Sequence, residues 1–492
     1  MPIKSRETNP KIYDFPFERV KNQVAGAFRK TGLQGTVADV LTVTGLPKYQ
    51  VETVLPAVVA DCRGQLKVTD SGEILYHFPK GMASQSRKTL WHRFVDWLAK
   101  AGTFLFKIWI VVMLIGYFVL FVALIVIALL VSVAVSASRR DDRDSGDGEG
   151  LLGLFAVSRI VEFVMLLWMY SGDPVIRTQK KKKPFYKAVF EFVFGAERDP
   201  ATWGKIERKA VLAWVRKNKG TITLEELIQM TGKSREEANA FVSRLLLEYE
   251  GEPMVSDDGT LYYAFPSVMT TSSSEVHDYR LPEQELIPFT RNPSKTNGWI
   301  IFFNGFNAVL SLYFLAGSLG GLQARDALSF LYRVVEALGV AGGGTAASVN
   351  SGIFWGLGIV PAVYSLLFFG IPALRRWKEA QLNRGIQTNN LRRKVAALTL
   401  ASPRSIDLAQ VQPDSERNAP GKIGPEREAL KEALLQDFAS PRSVEVTEKA
   451  KGGYLFAVPE FERELLDVQK VRQAIDPSKF ALGKVVYDSG SD

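Results

Sequence analysis

The stretch TVADVLTVTGLPKYQVETVLPAVVADCRGQLKVTDSGEILYHFP, Thr36–Pro79, returns 187 residues later as TLEELIQMTGKSREEANAFVSRLLLEYEGEPMVSDDGTLYYAFP, Thr223–Pro266, with no gap between the two. Ten of the 44 aligned pairs are identical, and many others exchange one apolar residue for another. Both begin Thr-(Val/Leu)-x-(Asp/Glu), and both carry Thr-Gly, at Thr44–Gly45 and Thr231–Gly232. Both end Val-(Thr/Ser)-Asp-x-Gly-x-(Ile/Leu)-x-Tyr-x-Phe-Pro, as Val68–Pro79 and Val255–Pro266. A long apolar segment follows each copy at a similar distance. Self-similarity at a fixed offset marks a repeated structural unit, here a small soluble domain followed by a membrane hairpin.

Within the first copy, Phe17–Lys30 has Val20, Val24, Ala27 and Phe28 at helical spacing. Thr36 is placed to cap a short helix, Val37–Val43, which Gly45 ends. Pro47 opens a third helix holding Val51, Val54, Leu55, Val58 and Val59, and Gly64 is expected to close it. Gln65–Thr69 and Ile74–Phe78 then alternate like strands about the turn Asp70-Ser71-Gly72. In the second copy the helices are Ile206–Lys217, Leu224–Met230 and Arg235–Tyr249, and the strands Met254–Ser256 and Leu261–Phe265. Ser234 with Glu237 three residues on matches a capping box. Helix, short helix, helix, hairpin is the order of a winged helix. A degraded third copy ends the chain, with helices at Leu391–Leu400 and Pro425–Phe438 and a wing-like ending at Gly452–Pro459.

The expected fold class is therefore an α-helical membrane protein with α+β soluble domains. It consists of a duplicated unit, a winged-helix-like domain plus a transmembrane helical hairpin, and then a third winged-helix-like domain. Residues 1–82, 201–268 and 388–480 are the soluble domains; 100–172 and 297–375 are the hairpins, with spans 104–135, 151–170, 298–322 and 352–374. Between them lie a basic, aromatic segment at 173–200 and a linker at 269–296. The first span has one charge, Lys107, in a stretch easily long enough for a hydrocarbon core of ~30 Å. The second carries Arg159 and Glu162.

Lys and Arg gather outside the hairpins, at Arg87, Lys88, Arg93, Lys180, Lys181, Lys182, Lys183, Arg375 and Arg376 among others, and are sparser in the loops. By the positive-inside rule the soluble domains face the cytoplasm, and the expected location is a bacterial inner membrane, crossed in several passes. One cysteine in 492 residues, Cys62, excludes an internal disulfide and fits a reducing compartment. The net charge of +9 sits largely beside the membrane, where each cation interacts with anionic lipid by roughly 1 kcal/mol. Lys180–Lys183, followed by an aromatic run, suit an element lying along the membrane face, or else a helix packed on the second soluble domain.

A winged helix that reads DNA presents its third helix to the major groove and cations to phosphate. Here Lys48 stands with Tyr49, Gln50 and Glu52, and Arg235 with Glu236 and Asn239, while the other second-copy cations, Lys233 and Arg244, are offset by Glu237, Glu248 and Glu250. Asp70, Glu73, Asp257 and Asp258 give the wings a charge that repels phosphate. Those exposed third-helix positions are the expected contacts for a cytoplasmic protein partner of a membrane scaffold or adaptor. Lipid is a further partner, self-association is open, and nucleic acid is not expected. The alternatives are a membrane-tethered DNA-binding regulator and a small-solute transporter component.

No catalytic residues, metal ligands or cofactors are expected. His77, His92 and His277 lie far apart, and no phosphate-loop, nucleophile-elbow or paired-cysteine motif occurs. The intramembrane polar residues Arg159 and Glu162, and Asn304 and Asn307, are each three apart on one helix face. Such groups join helices or line a conduction path. Pro361 is placed to kink the fourth span.

At Phe185–Gly195, FYKAVFEFVFG, followed by Asp199-Pro200, the chain resembles a family of multipass membrane proteins of cyanobacteria and the chloroplast envelope, whose plant members carry an iron–sulfur cluster biosynthesis name. The resemblance implies no catalytic residues, and one cysteine does not ligate a cluster.

Overall fold

The computed structural model describes residues 15–79, 81, 90–138, 184–196, 200–272, 280–319, 351–411, 425–450 and 452–490. Most of these are helical, with three small sheets. The chain forms two compact units. One comprises Met1–Lys88, Arg198–Ile287 and Leu382–Asp492, the other Thr89–Glu197 and Pro288–Gln381.

In the first unit the same order of elements occurs twice. Helix Phe17–Lys30 leads through strand β1 (Gln34–Gly35) to helices Val37–Thr44 and Lys48–Cys62 and the hairpin β2 (Gln65–Thr69), β3 (Ile74–His77). Helix Pro200–Lys217 leads through β4 (Thr221–Ile222) to helices Leu224–Thr231 and Arg235–Tyr249 and the hairpin β5 (Glu252–Val255), β6 (Leu261–Ala264). Local chemistry accounts for the match. Thr36 and Thr223 each accept a hydrogen bond from the backbone N–H of the residue three along, and the carboxylates of Asp39 and Glu226 accept one from the Thr36 and Thr223 N–H, so both short helices start on a closed capping box. Both end on a left-handed glycine, Gly45 at φ 67° and Gly232 at φ 73°.

Helix Lys48–Cys62 does not close on Gly64 as expected, and helix Arg235–Tyr249 ends in the same way. They close on Arg63 and Glu250 in the left-handed region, and the glycine comes one residue later. Gly64 and Gly251 are needed for space instead: a Cβ on either would stand 2.5 Å from the Phe78 or Phe265 ring. Those rings are nearly fully buried, Phe78 among Phe28 and its neighbours, Phe265 with Tyr249 and Leu245. Full burial of each such side chain stabilises by about 1.5–3 kcal/mol. The identities that repeat at an offset of 187 are thus largely caps and ring contacts.

Sheet order is β1-β3-β2 in the first segment and β4-β6-β5 in the second, all antiparallel. The final segment has a bridge from Ile406 to Phe456, a turn at Leu408–Gln410 capped by Asp407, helix Pro425–Ala439, and hairpin β7 (Glu445–Glu448), β8 (Tyr454–Ala457). Helix Pro459–Ala474 follows. The last strand, β9 (Val485–Asp488), turns back to pair antiparallel with β2, making the first sheet four-stranded.

The second unit holds helices Leu90–Ser138, Phe185–Phe194 and Ser294–Ser318 and the apolar part of a helical stretch that continues through Val360–Ala401. Three described helical segments are long and apolar enough to cross a membrane: Ala101–Ile127, Ser294–Ser318 and Ser351–Ala401. The expected span 151–170, with Arg159 and Glu162, and the lysines Lys180–Lys183 lie outside the described residues. The irregularity expected at Pro361 is found just before it. Phe354–Ile359 is wound one residue wider than an α-helix, with the Val360 N–H reaching the Trp355 carbonyl. Single-turn widenings of this kind accommodate a break in the helical ladder.

Helix Phe185–Phe194 does not lie apart from the apolar helices. Its Ala188, Val189, Phe192 and Val193 are buried in a cluster with Ile110, Leu114, Ile300 and Phe368. Leu366, Leu374 and Trp377 are largely exposed, as lipid-facing side chains are.

Candidate interaction surface

The N-terminal turns of the two longer helices of the first unit carry the expected contact residues, and the structure divides them. Tyr49 is half exposed, with its ring edge-on to Phe15 at 6.0 Å, and Glu52, Glu236 and Asn239 face solvent. Gln50 is half-buried beside the Tyr49 hydroxyl at 3.1 Å. The two cations are engaged within the chain. Lys48 pairs with Glu250, at the far end of the Arg235–Tyr249 helix, and with Glu52 at 3.7 Å. Arg235 donates to Glu225 at 3.2 Å and to the Phe438 carbonyl at 2.9 Å.

Around Arg235 lies a network that sequence reading missed. Glu225, nearly buried, also accepts from Arg442 at 3.0 Å, and Arg442 forks onto Glu464 with bonds of 2.7 and 2.6 Å. The Arg442 guanidinium lies 4.5 Å over the Phe461 ring. Burial opposes the charge on Arg442, but Glu464 and Glu225 more than offset it and raise its pKa. Arg472 joins Glu226 at 2.6 Å and Thr221 Oγ1 at 3.1 Å. These ties bind the final segment to the second, and a cleft of about 890 Å³ beside helix Pro459–Ala474 is lined by Arg235, Glu225, Arg442 and Glu464. Both signs of charge line it in near balance, which suits no strongly charged ligand.

The first segment has a corresponding arrangement. Asp39, which occupies the position of Glu226, accepts from the Ser272 N–H at 3.0 Å and hydroxyl at 2.7 Å, while Thr36 donates to the Thr270 carbonyl at 2.8 Å. In each case the cap carboxylate that starts a short helix also receives the stretch that follows the hairpin of the succeeding segment. The Thr-x-x-(Asp/Glu) motif was visible in the sequence, but its second role was not.

The linker is held by two asparagines seven residues apart, two turns along helix Val360–Ala401. The Asn390 amide donates to the Gln284 carbonyl and accepts from its N–H, at 2.9 and 3.2 Å. Asn383 does the same to Ile287, at 3.0 and 2.7 Å. Each amide thus stands in for a strand partner.

In the second unit Asn304 and Asn307 are fully buried and tie helices together. Asn307 donates to the Leu114 carbonyl at 2.8 Å, and the Ser365 hydroxyl donates to Asn304 at 3.2 Å. Tyr364 adds a bond to the Ile110 carbonyl at 2.7 Å. Arg375 reaches the carbonyls of Phe289 and Phe192, both at 2.9 Å. Among the described residues no group of three or more His, Cys, Asp or Glu side chains is placed to hold a metal ion. Cys62 is buried and unpaired, and burial raises its thiol pKa.

No protein-family model matches the chain. No solved structure matches it either. An uncharacterized chloroplastic protein of Arabidopsis thaliana is 26% identical over 407 residues, covering 78% of this chain and 73% of the relative. That relative corrects the expected location. A bacterial inner membrane with cytoplasmic domains does not agree with a chloroplastic homologue.

Proposed function

We propose that this chain is a membrane-anchored scaffold of the chloroplast whose winged-helix-like segments serve protein contact. The duplication is supported by the gapless offset of 187 residues together with the matching caps, helices and sheet orders of the two segments. Chloroplast membrane residence is supported by the location in the relative's description and by the apolar helices.

The observation that carries the protein-contact reading is the state of the cations that open the two third helices. Lys48 and Arg235, the residues a DNA-reading helix would offer to phosphate, are already bound to Glu250 and Glu225. The residues left exposed on those turns include Tyr49, Glu52, Glu236, Glu237 and Asn239. An aromatic ring among carboxylates and an amide suits a protein surface, since aromatic anchors dominate such interfaces, and it opposes a polyanion.

The test is purification of the full chain in mild detergent, with and without nuclease, beside a Tyr49→Ala/Glu52→Lys/Glu236→Lys variant of equal expression. The expected result is a stoichiometric protein that survives nuclease and is lost from the variant. Binding of duplex DNA with an affinity falling steeply with salt would overturn the reading.

A further inference from the structure

The three hairpins of the first unit have equivalent outer strands, and among the described residues only that of β2 is paired with a further strand. In register, Leu66 of β2 faces Tyr76, Pro253 of β5 faces Tyr263, and Val446 of β7 faces Phe456. The backbone of Leu66 points outward. Its N–H donates to the Ser489 hydroxyl at 2.8 Å, and its carbonyl accepts from the Ser489 N–H at 3.0 Å. Pro253 has no N–H to offer at that place, a common way of blunting a sheet edge. On β7 the strand ends are Glu445 and Glu448, with Thr447 where β2 has Lys67. The β2 edge alone combines an outward N–H with a cation.

The strand seated there is held by its ends and its backbone. Lys67 pairs with Asp488 at 3.0 Å, the Asp70 N–H donates to the Lys484 carbonyl at 2.9 Å, and the Ser71 hydroxyl donates to the Leu482 carbonyl at 2.8 Å. Its apolar side chains contribute little burial, because Val485, Val486 and Tyr487 are 48%, 66% and 53% exposed. A strand held this way is replaceable by another of similar backbone shape, since specificity then rests on Asp488 and Ser489.

We propose that the β2 edge is a strand-addition site for an extended segment of a partner protein carrying an acidic residue followed by Ser or Thr, and that β9 is its occupant within the chain. Strand addition to an open edge is an established mode of peptide capture, with main-chain bonds supplying affinity and a few side chains supplying selectivity. The occupant's chemistry follows from the charge of Lys67, the outward N–H of Leu66 and the peptide already seated there. The proposal deepens the scaffold reading but uses a different surface from Tyr49, Glu52 and Glu236. β9 competes at the high effective concentration of a tethered strand, so a partner must displace it.

The experiment uses the full chain ending at Phe480, in detergent, and a fluorescein-labelled peptide of residues 481–490, followed by fluorescence anisotropy. Saturable binding to the shortened chain is expected, with binding to the intact chain weaker by about tenfold or more. Lys67→Glu should weaken binding by about tenfold, and a peptide carrying Asp488→Lys should restore it to that variant. Leu66→Pro is also expected to abolish binding, and the charge swap separates that loss from misfolding because it leaves the fold of either partner intact. Absence of binding to the shortened chain, or indifference to the charge swap, overturns the site. A dimer of intact chains that dissociates on removal of 481–492 would assign the edge to a second copy and overturn the partner assignment. Peptide capture that persists when the Tyr49/Glu52/Glu236 variant retains all its partners would sink the scaffold surface while leaving this site standing.

Discussion

Arg472 meets Glu226 across 246 residues of sequence, Nη2 to Oε2 at 2.6 Å, although Glu226 is already committed to the cap of its own helix. A single buried carboxylate therefore starts helix Leu224–Thr231 and anchors helix Pro459–Ala474. Removing the cation strands that charge in a nearly water-free position. Arg472→Ala is expected to lower unfolding stability by about 3 kcal/mol, read by chemical denaturation of the purified chain. Glu226→Gln, which keeps an acceptor for the Thr223 N–H, should lose less.

Gly232 has a positive φ, and a Cβ there would press into the Asn389 carbonyl, with no flexible side chain to yield. Gly72, also at positive φ, has open space around it. Gly72→Ala should carry only the left-handed penalty of about 1–2 kcal/mol. Gly232→Ala should exceed it clearly in the same unfolding assay. Equal losses would mean that the contact with helix Val360–Ala401 relaxes freely.

Asn390 holds the linker at Gln284, and Asn383 holds it independently at Ile287. Replacing Asn390 with Leu removes two hydrogen bonds worth about 1 kcal/mol each. Hydrogen exchange should quicken at the Gln284 amide and stay slow at Ile287. Simultaneous release of both amides would show that the two clamps act as one.

Asn307 makes one helix-to-helix bond in the apolar unit, to Leu114. Interhelical side-chain bonds of this kind average about 0.6 kcal/mol and reach about 1.7. Asn307→Ala should cost within that range in a detergent unfolding titration. Val309→Ala, on the exposed face of the same helix, is the control and should change little.

The Asp488 carboxyl is held below the usual carboxylate range by the Gly490 N–H and then by Lys67. A carboxyl whose pKa falls on folding contributes fully above its free value of about 3.9 and loses that contribution as the pH drops through the lowered value. Docking of β9 should therefore be constant from about pH 5 to 8 and weaken below about pH 3.9. Protection of the Leu66 and Ser489 amides from exchange reads it. Asp488→Asn should flatten the acid limb, and an unchanged limb would assign it to another group.

The legibility of the fold followed the range of the forces involved. Thr36, Thr223 and Ser234 were readable as helix starts because a cap acts within one turn, and Phe17–Lys30 because its apolar stripe repeats every turn. The two-residue strands β1 and β4 escaped notice, being too short to show alternation. Gly64 looked like a cap, but the ring of Phe78, fourteen positions away, is what demands it, as Phe265 demands Gly251 in the second copy. Lys48 and Arg235 looked like free contact residues because their partners, Glu250 and Glu225, lie in other elements.

What the sequence alone determined is the pair of matched segments, their helices and hairpins, and the long apolar helices, all written in local periodicity and in identities at one offset. What only the tertiary structure decided is which carboxylates are shared between segments, and that β9 pairs with β2 and not with β5 or β7. Capping and amphipathicity are settled by neighbours a turn away. The choice among three similar edges is a competition across the whole chain, decided by an outward N–H at Leu66, its absence at Pro253, and the placement of one lysine.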